Sequence, residues 1–265
     1  MLRDPAVAGM FYEADAYALK NHVNKYIVEK EKKFDAKGIV VPHAGYIYSG
    51  KVAGEVYSSI NIPDIAIIMG PNHTGMGPSI SIMNEGVWRT PLGDVKINQP
   101  LANDILKNSD SSKKDTSAHI REHSIEVQLP FLQEVKKNFT FVPIIFRDYN
   151  IEHLKETARA ISESIKDREV LLISSTDLTH YEDSKTAHTK DSFVLSAIEK
   201  MDENALVEAV QEHDISMCGW MPTFVLLHAC KLLGAKEGRI IRYMNSGDTS
   251  GDYSQVVGYG GAVII

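Results

Sequence analysis

The chain has 265 residues, of which 43% are hydrophobic, and a formal net charge of −7 at pH 7. This length suits one large α/β domain or two small ones. The acidic balance, with no basic cluster beyond residues 30–33, argues against a nucleic-acid partner. No apolar stretch approaches the ~20 residues that span a bilayer, and the first residues lack a signal-peptide core. Two cysteines supply no disulfide framework, so we expect a reduced, cytoplasmic protein without a membrane partner.

Helical and strand-like patterns alternate along the chain. Asp15 is expected to cap a first helix, and Ser49 to open a second. Helices are predicted over residues 16–33, 49–60, 100–107, 124–136 with a kink or break at Pro130, 151–165, and two or three times between 184 and 233. Strands are predicted over residues 38–41, 64–69, 139–145, 169–174, 239–244 and 255–264, with strand pairs at a sheet edge over 79–98. This order predicts one domain, residues 1–265, built as an α/β three-layer sandwich around a central mixed, mostly parallel sheet.

Histidines follow two of the predicted buried strands. His43 comes directly after Val-Val-Pro, and His73 after Gly-Pro-Asn. The carboxyl ends of strands in an α/β sheet open onto the crevice where ligands bind. Imidazole is a good ligand for Fe, Cu, Zn and Ni, so these two residues are candidate metal ligands. The alternative is a pair of structural histidines that satisfy local polar groups.

A third strand end carries an acid and another histidine. Asp177 and His180 follow the run Leu-Leu-Ile-Ser-Ser-Thr. Asp177 is a candidate catalytic residue that binds a metal or orients a ligand, although it also suits the cap of a turn. His180 is a candidate third ligand or general acid/base, because the pKa of imidazole lies near neutral pH.

Two further places in the sequence carry side chains that can bind a metal or take part in catalysis. Glu122 and His123 form an acid–imidazole pair at a predicted helix start, where a carboxylate also suits a capping role. Cys218 lies just before another predicted helix, a position that favours the thiolate, which is both metal ligand and nucleophile. A buried structural thiol is the alternative. The common zinc signatures CxxC and HExxH are absent.

Seven short motifs, in order along nearly the whole chain, resemble those of the Memo family. They are Val7-Ala-Gly-Met-Phe-Tyr12, Pro42-His-Ala-Gly-Tyr46, Gly70-Pro-Asn-His73, Thr90-Pro-Leu-Gly93, Glu122-His-Ser-Ile-Glu126, Ser174-Ser-Thr-Asp177 and Cys218-Gly219. Archaeal and bacterial members of that family are called AmmeMemoRadiSam system protein B. The eukaryotic member is a mediator of ErbB2-driven cell motility.

The resemblance implies a fold like that of the class III extradiol (LigB-like) dioxygenases. Those enzymes hold non-haem Fe(II) with two histidines and a carboxylate. In the Memo family two histidines and a cysteine line the equivalent pocket, which here implies His43, His73 and Cys218 as metal ligands, with Asp177 and His180 beside them. A softer thiolate in place of the carboxylate shifts the metal preference toward Cu(I), Zn or a different iron chemistry. The expected cofactor is a transition metal, Fe(II) first, with Cu or Zn as alternatives.

Three functional hypotheses follow from the residues and the resemblance. The first is an iron- or copper-dependent oxidoreductase, with His180 and Asp177 as catalytic residues and Glu122 and His123 supporting the ligands. The second is a non-catalytic scaffold whose vestigial dioxygenase pocket binds a peptide or small molecule. The third is a Cys–His hydrolase with Cys218 as nucleophile and His180 as base.

Overall fold

The computed structural model describes residues 1–265, which form a twelve-stranded sheet with nine α-helices. The strands are β1 (Leu2–Arg3), β2 (Gly38–Val41), β3 (Ile65–Pro71), β4 (Ile80–Ile82), β5 (Val87–Thr90), β6 (Gly93–Ile97), β7 (Lys113–Lys114), β8 (Thr140–Phe146), β9 (Leu171–Ser175), β10 (His180–Glu182), β11 (Gly238–Asn245) and β12 (Val256–Ile264). The helices are α1 (Ala16–Tyr26), α2 (Tyr46–Ser58), α3 (Gln99–Asn108), α4 (Leu129–Val135), α5 (Ile151–Ile165), α6 (Ser184–Glu199), α7 (Glu203–Glu212), α8 (Trp220–Leu232) and α9 (Gly247–Ser250). None of these helices is long and apolar enough to cross a membrane.

The sheet is mixed, with a parallel centre. Its main path runs β1-β5-β6-β8-β3-β9-β2-β12-β10, while β11 pairs with β12, and β4 joins β7 to β8. The central strands β8, β3, β9 and β2 are all parallel, and helices α2 and α5 make the crossovers from β2 to β3 and from β8 to β9. The closing strands β11 and β12 pair antiparallel, and β12 is antiparallel to β2. The predicted α/β class with a mixed, mostly parallel sheet is therefore confirmed.

Helices cover both faces of the sheet. Successive strand residues point to opposite faces, so Ile67 and Met69 of β3 join one hydrophobic cluster while Ala66 and Ile68 join the other. The first cluster is completed by α3, α5, α6, α7 and α8, and the second by α1, α2 and α4. The loops that carry three of the candidate site residues begin at the carboxyl ends of the central strands β2, β3 and β9.

Three of the predicted helices have different boundaries in the structure. Helix α1 ends at Tyr26, seven residues early, because Ile27 is extended and Val28 donates its N–H to the Ser58 hydroxyl. The charged residues that follow suit a helix by composition, but this tertiary contact redirects the chain. Helix α2 begins at Tyr46 with Gly45 as its N-cap, so Ser49 lies inside the helix and is not its cap. The kink or break expected at Pro130 is a boundary, since this proline lies in the first turn of α4.

Candidate metal centre

Three adjacent parallel strands deliver the candidate residues to one edge of the sheet. Strand β9 lies between β2 and β3, and all three point the same way. His43 follows β2 by two residues, and His73 follows β3 by two. Their ring centroids are 5.2 Å apart in an edge-to-face arrangement. The strand order therefore brings together two imidazoles that are 30 residues apart in the chain.

Cys218 reaches the same place from the loop before α8. Its Sγ lies 3.3 Å from His43 Nε2 and accepts the backbone N–H of Asp177 at 3.3 Å. One ligand atom each from His43, His73 and Cys218 lies within 4.8 Å of the other two. Two imidazole nitrogens and a sulfur at this separation match the donor set of Fe, Cu and Zn sites. The residues present thus fit a transition metal.

The hydrogen bonds of His43 fix which ring nitrogen carries its proton. Nδ1 lies 3.0 Å from Ser175 Oγ, and that hydroxyl donates its own proton to the carbonyl oxygen of Ser124 at 2.6 Å. Nδ1 must therefore donate to Oγ, which leaves Nε2 with a lone pair facing Cys218 Sγ. Burial of His43, together with the neighbouring imidazoles, holds its pKa well below the ordinary value. A neutral imidazole with a bare Nε2 is the form that binds metal.

His73 is held in the same manner by Glu122. The carboxylate accepts His73 Nδ1–H at 2.8 Å and the His73 backbone N–H at 2.6 Å. Burial alone would raise the pKa of Glu122, but the hydrogen bond and charge of His73 lower it to about 2. The same contacts raise the pKa of His73 above its ordinary value, although burial opposes them. A carboxylate behind an imidazole fixes the ring and increases its basicity as a ligand.

His123 forms a wall of the centre. Its ring stacks on His73 with centroids 4.6 Å apart, and Phe11 packs against it at 4.7 Å. Burial lowers the pKa of His123 to about 4, so the ring is neutral at pH 7. His73, Glu122 and His123 also lie close enough to hold an ion. However, the Glu122 oxygens already accept hydrogen bonds from His73, His123 and Ser124, so this group orients His73.

Asp177 and His180 occupy different positions relative to the centre. Asp177 Oδ1 accepts the His43 backbone N–H at 2.8 Å, and Oδ2 lies 3.9 Å from His43 Nε2. Burial raises the pKa of Asp177 to about 6 despite that hydrogen bond. His180 is anchored to Ser216, whose carbonyl oxygen is 3.0 Å from Nδ1 and whose hydroxyl accepts the His180 backbone N–H at 2.7 Å. A carbonyl only accepts, so His180 carries its proton on Nδ1 and leaves Nε2 as a base.

The thiol of Cys218 differs from its sequence expectation. Gly219 is the N-cap of α8, so Cys218 lies just outside the helix. Burial raises the pKa of Cys218 to about 12, and the Asp177 charge adds to this, so the thiol is protonated at neutral pH in the absence of a metal. The imidazole hydrogen-bonded to Cys218 is that of His43, and not that of His180 as the hydrolase hypothesis predicted.

The chain before α1 packs against the centre through a buried ion pair that the sequence reading did not include. Glu126 accepts hydrogen bonds from the Arg3 guanidinium at 2.6 Å, the Tyr12 hydroxyl at 2.6 Å and two backbone N–H groups. This anchorage places Phe11 against His123. The motif around Glu126 was noted in the sequence, but its partner lies 123 residues away and gives no local signal.

Fold and centre together define an α/β protein with an imidazole–thiol cluster at the carboxyl edge of a mixed sheet. The family model described as "Memo-like protein" matches residues 3–263, and the chain belongs to the Memo family. It is 42% identical over 270 residues to a MEMO1 family protein of Aquifex aeolicus, covering 100% of this chain and 99% of the relative. A MEMO1 family protein of Methanopyrus kandleri is 41% identical over 279 residues, covering 99% of each.

A solved structure shares the fold at low sequence identity. The crystal structure of the uncharacterized protein JW3007 from Escherichia coli K12 matches with a TM-score of 0.54 and 11% identity. The match covers 84% of this chain and 98% of that chain. The likeness supports the α/β architecture described above.

Proposed function

We propose that this protein is a transition-metal-dependent oxidoreductase whose metal ligands are His43 Nε2, His73 Nε2 and Cys218 Sγ. The observation that carries the proposal is that one ligand atom of each residue lies within 4.8 Å of the other two, while both Nδ1 atoms are engaged in hydrogen bonds. Structural histidines need no such common arrangement. Iron is the first candidate, with copper or zinc as alternatives, because a mixed imidazole and thiolate set accepts all three.

A bound iron or copper ion would supply one-electron chemistry, and the surrounding residues would handle protons. Cys218 would give up its thiol proton to hold the metal, since the thiolate is the form that binds. Asp177 is the proposed first proton carrier, with Oδ2 3.9 Å from His43 Nε2 and a pKa of about 6. His180, with its free Nε2, is the proposed second proton carrier. General acid–base catalysis favours groups whose pKa lies near the working pH.

The proposed substrate is a small molecule or peptide that enters past His73, whose ring stays accessible to solvent while His43 is buried. A cleft of about 220 Å³ has Phe11, Gly45 and Tyr48 among its lining residues, but His43, His73 and Cys218 do not line it. Phe11 is shared between this cleft and the wall around His123. An apolar wall next to a group of polar side chains is typical of small-ligand sites.

Anaerobic titration of the tag-free protein with Fe(II) and with Cu(I) tests the metal centre. We expect one ion per chain for the wild type and an affinity at least 10-fold lower for His43→Ala and Cys218→Ser, because each loses a direct ligand. His213→Ala is the matched control, since that histidine lies at the end of α7 and stacks on Phe193. Equal affinity in all four proteins would rule out the proposed ligand set.

Oxygen uptake by the metal-loaded protein tests the oxidoreductase half of the proposal. We expect oxygen consumption with a phenolic or thiol reductant that depends on the metal and is lost in Cys218→Ser. Tight metal binding without any turnover, together with a peptide ligand that competes for the pocket, would instead support the scaffold hypothesis. The two experiments therefore separate binding from catalysis.

A further inference from the structure

We infer that Ser124 and Ser175 form a buried hydrogen-bonded bridge that fixes the orientations of both ligand histidines together, so that Ser175 is a positioning residue for the metal centre. The inference rests on the proposed function for its metal readout, but the bridge itself is a property of the metal-free protein. Both serines are fully buried, at 0% exposure, so water cannot replace either hydroxyl.

The first half of the bridge orients His43. Ser175 Oγ accepts from Gln128 Nε2 at 2.8 Å and from His43 Nδ1 at 3.0 Å, and donates to the Ser124 carbonyl oxygen at 2.6 Å. A hydroxyl has one proton and two lone pairs, so all of its hydrogen-bonding capacity is used. Gln128 is itself fixed, because the same Nε2 group donates to the Pro42 carbonyl oxygen at 2.9 Å.

The second half orients His73. The Ser124 backbone N–H donates to Glu122 Oε1 at 2.9 Å, the same oxygen that accepts His73 Nδ1–H. The Ser124 hydroxyl donates to the carbonyl oxygen of Pro71, two residues before His73, at 3.1 Å. One residue thus holds both the carboxylate behind His73 and the strand end that carries it.

Gly70 makes room for the bridge. A Cβ atom at this position would lie 2.4 Å from Ser124 Oγ, closer than any real contact allows. The backbone of β3 and the Ser124 hydroxyl can approach only because residue 70 is glycine. The Gly-Pro-Asn-His motif at the end of β3 therefore has a steric as well as a chemical role.

Loss of the Ser175 hydroxyl would leave His43 Nδ1 without its acceptor. The ring would then be free to move its proton to Nε2 and donate to Cys218 Sγ, 3.3 Å away. A protonated Nε2 has no lone pair for a metal. Because Ser124 would also lose its carbonyl partner, the support of Glu122 and His73 would weaken in the same variant.

The test compares Ser175→Ala with Ser174→Ala, its neighbour on β9. Ser174 is equally buried, but its hydroxyl pairs with Thr223 and not with the centre. Nitrogen-15 NMR of the metal-free protein reports the tautomer of each histidine, and competition with a chelator reports Co(II) affinity. We expect a protonated His43 Nδ1 in the wild type and in Ser174→Ala, and a mixed or Nε2-protonated ring in Ser175→Ala. We expect Co(II) binding to be about 10–100-fold weaker in Ser175→Ala alone.

Ser175→Thr keeps the hydroxyl and is expected to retain the wild-type tautomer. A His43 that is protonated on Nε2 in the metal-free wild type would overturn the bridge, whether or not the protein binds metal and whether or not Ser175→Ala folds. A folded Ser175→Ala with wild-type tautomer and Co(II) affinity would also overturn it. The tautomers could behave as expected while neither the wild type nor any variant binds metal. That result would support the bridge and contradict the proposed function.

Discussion

At the scale of single residues, the proposed centre depends on the groups behind the candidate ligands as much as on the candidate ligands themselves. His43 and His73 both place a proton on Nδ1, one against a serine hydroxyl and one against a carboxylate. The sequence predicted the ligand candidates, because histidines after buried strands are a local signal. It did not indicate Ser175 as a partner of His43, because that contact joins residues 132 positions apart.

Glu122→Gln tests the support behind His73. The amide is neutral and presents an NH₂ group to N–H donors, so we expect metal affinity about 10–100-fold below that of the wild type. Competition with a chelator for Co(II) measures this affinity. Glu85→Gln is the control, since Glu85 pairs with Lys114 at an exposed site. Unchanged affinity in folded Glu122→Gln would show that the carboxylate does not orient the ligand.

At the scale of elements, ion pairs and hydrogen bonds connect neighbouring segments around the sheet. Periodicity predicted α5 correctly and the buried strands within one or two residues, because continuous β-branched runs and an amphipathic helix are local patterns. The short strand β10 and the early end of α1 were not predicted. Both depend on tertiary partners, Val257 for β10 and Ser58 for the chain after α1.

Arg3→Met tests the anchorage of the chain before α1. The change leaves the buried Glu126 carboxylate without its cation, so we expect a loss of about 3–5 kcal/mol in the free energy of unfolding, measured in urea. Arg89→Met breaks an exposed pair with Asp94, and we expect a much smaller loss because solvent screens exposed ion pairs. Small losses of unfolding free energy in both variants would contradict the large contribution assigned to the buried Arg3–Glu126 pair.

Glu203 links α7 to α8 and gives a pH-dependent contribution to stability. Partial burial would raise its pKa, but hydrogen bonds from His228 and Lys231 lower it to about 2. A depressed folded-state pKa means that this stabilisation is complete above about pH 4.5 and is lost as the pH falls toward about 2.

Glu203→Gln tests this pH-dependent contribution to stability. At pH 7 we expect it to be less stable than the wild type by about 1–3 kcal/mol, and the difference should shrink between pH 4.5 and 2. Thermal unfolding across this pH range measures the effect, with Glu208→Gln on the exposed face of α7 as control. A difference that stays constant with pH would contradict the assigned pKa.

At the scale of the whole molecule, the strand order decides what the site contains. Three parallel strands place His43, Asp177 and His73 at one edge, and the loop before α8 adds Cys218 from a distant part of the chain. The α/β class followed from the alternation of helices and strands. The strand order did not, because pairing between distant strands leaves no local pattern. The Memo family match over residues 3–263 agrees with this architecture.

An anomalous difference map at the iron edge tests the central claim most directly. Crystals of tag-free protein would be loaded anaerobically with Fe(II). The account predicts one peak per chain, bound by His43, His73 and Cys218, and none in crystals of Cys218→Ser loaded in the same way. A peak bound only by other residues, or no peak in wild-type crystals at saturating iron, would contradict the proposed metal centre.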